Sequence, residues 1–146
     1  MEVGQINLPS KSGDFLLIFN RLEGSVEKYR IVAIPDDLKS FKAGMYRFIN
    51  LSPYDIALKV GDEKNLIKKG NFADLESKAE EGGFQDALMY SLVVDKGNEG
   101  AKPLRAFKGQ LFFSEEQRSI YVITPKRGGR EGRIDFTVIT ESLAKR

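Results

Sequence analysis

Apolar residues in this chain run together for four or five positions, or alternate with polar ones, and the runs stop at turn residues. The plainest case spans Tyr46 to Gly61, where Tyr46–Leu51 reads as one strand, Ser52-Pro53 as a break and Ile56–Val60 as a second strand. Period-two alternation is what a half-buried strand requires, because successive side chains point to opposite faces. Upstream, Phe15-Leu16-Leu17-Ile18-Phe19 is apolar on both faces, as expected of a strand central in a sheet. Tyr29–Ile34 follows and stops at Pro35-Asp36-Asp37, since proline cannot donate to a ladder. Lys64–Lys69 and Phe72–Glu76 are shorter, with Gly70-Asn71 offering a tight turn between them. The pattern resumes in Asp86–Val94, Leu104–Phe113, Ser119–Thr124 and Arg133–Val138, the last with Ile134, Phe136 and Val138 on one face.

The best helical candidate is Ala73–Glu81, rich in Ala, Glu and Lys and ended by Gly82-Gly83, set against a strand and loop there. Eight or nine short strands at roughly 8–12-residue spacing, with no intervening helices, read as a sandwich or barrel. The expected fold is all-β: one antiparallel β-sandwich domain over residues 1–146, with Greek-key connections. Its expected core is Leu16, Ile18, Ile31, Phe48, Ile56, Leu58, Leu88, Tyr90, Leu92, Val122, Phe136 and Val138. Lys68-Lys69 and Pro53 suit the blunting of sheet edges.

Composition narrows the chemistry more than the fold. The chain has no histidine and no cysteine. That removes a disulfide framework, thiolate metal sites, copper, structural zinc, and Ser-His or Cys-His catalysis. At 146 residues with 41% hydrophobic and 30% charged positions, the balance is globular. Net charge is only +2, yet unevenly spread. Residues 1–100 hold 13 basic and 16 acidic side chains, and residues 101–146 hold 10 and 5. No apolar run approaches the ~18 residues of a membrane helix, so no membrane-spanning segment is expected. The start, Met1-Glu2-Val3-Gly4-Gln5, lacks the regions of a signal peptide. Two readings follow: a cytosolic protein, or an exported one whose leader has been replaced by an initiator Met.

One segment has recognisable chemical character. Lys126-Arg127-Gly128-Gly129-Arg130-Glu131-Gly132-Arg133 puts four cations and three glycines between two strands. Glycines let backbone N–H groups approach an anion, and arginine forks hold phosphate, sulfate or carboxylate bidentately. Lys126, Arg127, Arg130 and Arg133 are therefore the candidate anion-binding residues. The competing reading is a solvated hairpin whose glycines supply positive φ. Walker spacing is absent, and Glu131 weakens an anion site. Nucleic acid is not an expected partner, because Tyr121 and Phe136 beside the loop sit in apolar alternation and no RRM, KH or helix-turn-helix signature occurs.

Carboxylate pairs are the catalytic route left open. Asp36-Asp37, Asp62-Glu63, Glu80-Glu81 and Glu115-Glu116 all fall in expected turns, as solvated charge does. No DxDxDG-type calcium loop occurs. Asn50-Leu51-Ser52 matches a glycosylation sequon, but with Pro53 next it reads better as turn chemistry.

The residues Tyr46, Arg47, Phe48, Ile49, Asn50, Ser52 and Pro53, then Ile56, Leu58, Val60 and Gly61, resemble a known pattern. Bacterial exported β-sandwich domains of unknown function carry such an "R-F-I-N-x-S-P" strand followed by an alternating strand and a Gly turn. Gly70-Asn71-Phe72 is similar to the "G-x-[FY]" before their next strand. The resemblance implies an immunoglobulin-like or cupredoxin-like sandwich, export to the periplasm or cell surface, and no catalytic residues. The expected function is thus a non-catalytic structural or protein-interaction module without cofactors, meeting a protein or cell-envelope component. The rival is a module binding an acidic glycan or other anion through loop 126–133, and a third reading is a carboxylate-based glycan hydrolase.

Overall fold

The computed structural model describes residues 4–22, 24, 28–95, 97 and 100–143. They hold ten strands and no helix. The chain divides into two compact units, Met1–Lys42 and Ala43–Arg146.

The first unit is built on a hairpin of β1 (Phe15–Arg21) and β2 (Tyr29–Pro35), paired antiparallel from Phe15↔Pro35 to Arg21↔Tyr29. The central-strand expectation for Phe15–Phe19 is corrected here. β1 has one neighbour, and Leu17 and Phe19 are exposed while Leu16 and Ile18 are half-buried. Leu16, Ile18 and Ile31 thus belong to this two-stranded sheet and not to the sandwich core. An apolar run over both faces records only that both can be covered, not by how many strands.

The second unit is the β-sandwich. One sheet has the order β10-β9-β3-β6, from β10 (Ile134–Ser142), β9 (Gln117–Pro125), β3 (Met45–Asn50) and β6 (Phe72–Glu76). The other has the order β5-β4-β7-β8, from β5 (Glu63–Ile67), β4 (Asp55–Val60), β7 (Phe84–Val94) and β8 (Ala101–Phe112). All pairings are antiparallel except β3 with β9, which is parallel. Parallel neighbours need a long connection, and the chain between β3 and β9 supplies it by building the whole opposite sheet on the way.

Phe48, Ile56, Leu58, Met89 and Ile123 are the innermost core, with Tyr46, Leu75, Leu111 and Ile134 around them. Phe107 and Phe136, from opposite sheets, meet edge to face at 4.8 Å. At the β3–β4 break, Asn50 is fully buried and does what a turn residue can. Its Nδ2 donates to the carbonyls of Tyr54 (2.7 Å) and Ile67 (3.0 Å), and its Oδ1 accepts from the Ser52 N–H and hydroxyl.

Two further expectations are corrected, on β7 and β10, and one open alternative is decided. Residues 73–81 follow the strand-and-loop reading and not the helical one: β6 occupies Phe72–Glu76, and a turn leads on to β7. Cross-strand pairing to β3 outweighs the helix propensity of Ala, Glu and Lys. On β7 the core takes Ala87, Met89, Ser91 and Val93, so Leu88, Tyr90 and Leu92 lie on the opposite, outer face and are half-buried. On β10, Ile134 and Phe136 are covered as expected but Val138 is half exposed.

Candidate functional site

Lys126, Arg127, Arg130 and Arg133 all lie in the loop joining β9 to β10, and every one is exposed. The loop is two successive tight turns. The Gly129 N–H donates to the Lys126 carbonyl (3.1 Å) and the Arg133 N–H to that of Arg130 (3.1 Å). The Lys126 N–H closes the base on the Arg133 carbonyl (3.0 Å). Gly128 (φ 65°) and Gly132 (φ 81°) hold left-handed conformations at the third position of each turn, where glycine costs least.

Gly132 is also where the loop is anchored. It is buried, and a Cβ there would stand 2.9 Å from Leu104 Cδ1 and 3.2 Å from Val93 Cγ2 of the facing sheet. The loop is thus a defined structure that presents four cations, none of them in an ion pair. The expected glycine-lined backbone cradle is reduced, because the N–H groups of Lys126, Gly129 and Arg133 are spent inside the loop.

One member of each of three carboxylate pairs serves local structure. Asp37 Oδ1 accepts from the N–H groups of Lys39 and Ser40, and Oδ2 from the Ser40 hydroxyl (2.6 Å). The Ser40 hydrogen bonds hold the Asp37 carboxyl below its usual range. Glu63 pairs with Lys78 at 3.1 Å, and Glu81 accepts from the Glu115 N–H. Asp55 is likewise lowered, first by the Lys69 N–H and then by Lys68, whose ammonium lies 3.2 Å away. Lys68-Lys69 thus closes the end of the edge strand β5 through Asp55.

A second surface escaped sequence reasoning. The outer face of the β5-β4-β7-β8 sheet carries an open concavity of about 970 Å³ whose lining includes Lys59, Phe84, Leu88, Tyr90, Arg105 and Lys108. The ladder explains the grouping. Leu88 lies between Lys59 and Lys108 in one row, and Tyr90 between Ala57 and Arg105 in the next. Arg105 and Lys108 are three residues apart and would face opposite ways on a regular strand. A β-bulge resets the alternation: Met89 pairs with Phe107 and Tyr90 with Arg105, so Ala106 is the extra residue and both cations face outward. The available signal was the alternation Asp86, Leu88, Tyr90 against Ala87, Met89, Ser91, whose phase two half-apolar faces leave open.

No protein-family model matches this chain, and a search of curated proteins finds no match.

Proposed function

We propose that this chain is a non-catalytic β-sandwich interaction module of an exported bacterial protein, and that loop 126–133 meets an anionic partner. The observation that carries this reading is the anchored loop. Gly132 seats it against Leu104 and Val93, three backbone bonds set its shape, and four cations stand exposed and unpaired. Fixing a loop in advance lowers the ordering cost of binding, which a merely solvated hairpin does not need. Arg127 and Arg130 offer forks for carboxylate, sulfate or phosphate. Export rests on the resemblance carried by Tyr46–Gly61. A partner in the cell envelope, whether a protein or an acidic glycan, fits both halves of the reading.

Isothermal titration against a panel of polyanions tests the loop. Binding that weakens in Arg127→Ala and Arg130→Ala supports it, and flat titrations across the panel overturn it. Fractionation of the source cells tests export. Recovery in the cytosolic fraction alone overturns that half.

A further inference from the structure

We infer that the outer face of the β7–β8 hairpin is a binding platform for an acidic oligosaccharide, separate from loop 126–133. Phe84 is 61% exposed and meets Phe112 edge to face at 5.6 Å at one end of the hairpin. Tyr90 lies six residues further along the same face, about 20 Å away at the rise of an extended strand. Between them lie Asp86, which accepts from Gln110 Nε2 at 3.0 Å, then Leu88 beside Lys108, then Arg105 beside Tyr90. Lys59 and Lys64 extend the row across β4 and β5. None of Lys59, Lys64, Arg105 and Lys108 enters an ion pair, and the carboxylates of Asp62 and Asp86 line the same concavity.

The chemistry of the strip selects its occupant. A sugar ring has an apolar face that packs on an aromatic side chain and a rim of hydroxyls that needs donors and acceptors. Phe84 and Tyr90 supply the first, while Gln110 and Asp86 supply the second. Unpaired lysines and an arginine add complementarity to carboxylate or sulfate. Single-stranded nucleic acid would want neighbouring rings for successive bases, and here the two aromatic positions stand far apart. A docked peptide would favour an unpaired strand edge or apolar pockets, and this face is a paired sheet studded with charge.

Isothermal titration of the full chain decides the matter, using hexamers of α-1,4-linked galacturonate, the same hexamer methyl-esterified, a sulfated heparin-derived hexamer, and a deoxythymidine oligomer. The expected result is binding of at least one acidic hexamer, weakened about tenfold by Tyr90→Ala and by Arg105→Gln combined with Lys108→Gln. With the loop silenced by Arg127→Ala and Arg130→Ala, the hexamer still binds and the face variants still weaken it, and esterification weakens it in either background. Thermal melts check each variant's fold. Should Tyr90→Ala melt early, Phe84→Ala replaces it, because that side chain is mostly in solvent. The inference is overturned if neither acidic hexamer binds, if binding ignores the face variants, if it is lost in the loop variant instead, or if the deoxythymidine oligomer binds more tightly.

Discussion

Arg47 and Asp74 face each other across the β3–β6 ladder and form a two-pronged ion pair, Nε to Oδ1 at 2.6 Å and Nη2 to Oδ2 at 2.8 Å. The guanidinium is 1% exposed and lies 4.7 Å from the centroid of the Phe72 ring, two residues before its partner. Arginine suits the place because its planar fork serves a carboxylate and a ring face at once. Asp74→Ala leaves a buried cation without that carboxylate and is expected to cost on the order of 3 kcal/mol in urea unfolding. Replacing both partners with apolar residues, as in Arg47→Met with Asp74→Leu, is expected to recover most of that loss. A double variant no more stable than Asp74→Ala would show that the pair is not the cause.

Gly132 is constrained twice, by its φ of 81° and by Leu104 and Val93 where a side chain would go. Gly132→Ala is expected to destabilise the chain by about 1–3 kcal/mol. Gly128→Ala shares the positive φ (65°) but meets no atom within 4 Å, so its cost should be smaller. Equal losses in chemical denaturation would contradict the anchoring role given to Gly132.

Ser91 faces the core from β7, and its hydroxyl is buried without a hydrogen-bond partner. Removing that hydroxyl takes away a desolvation penalty of roughly 1–3 kcal/mol and few contacts. Ser91→Ala should therefore raise the denaturation midpoint. A lowered midpoint would mean that the hydroxyl is satisfied in solution.

Tyr121 is stacked on Phe48 at 4.9 Å and meets Tyr46 edge to face at 6.2 Å. Burial first, and Tyr46 second, push its phenol up to about 12. The unfolded phenol ionises near 10. Above that pH the unfolded chain binds fewer protons than the folded one, so stability present below pH about 10 is lost as pH rises toward 12. Tyr46 is also raised by burial, and its hydroxyl donates to the Phe112 carbonyl at 3.0 Å. Tyr121→Phe should flatten the alkaline fall without abolishing it. A profile identical to the parent protein's between pH about 10 and 12 would contradict the assignment.

Strands were legible wherever an apolar run was bounded by its own turn residues. Tyr46–Leu51 and Ile56–Val60 correspond to β3 and β4, and Asn50-Leu51-Ser52-Pro53 forms the turn between them. Loop 126–133 was legible for the same reason, since glycine and charge crowd between two clean strands. The platform on β7–β8 was not. Leu88, Tyr90 and Leu92 are as apolar as Ala87, Met89 and Val93, so either face could have been the inner one. Arg105 and Lys108 share a face only because a bulge falls between them.

The all-β class, the rough limits of most strands and the exclusion of imidazole and thiolate chemistry can be read along the chain. Those properties follow from local preference and from which atoms are present. The parallel pairing of β3 with β9, the separate sheet of β1 and β2, and the covered face of β7 emerge only in the folded arrangement. Side chains in a strand alternate with period two, so one residue of register sends every one of them to the other face. Register is set by neighbours far away in sequence, here β4 on one side of β7 and the bulged β8 on the other.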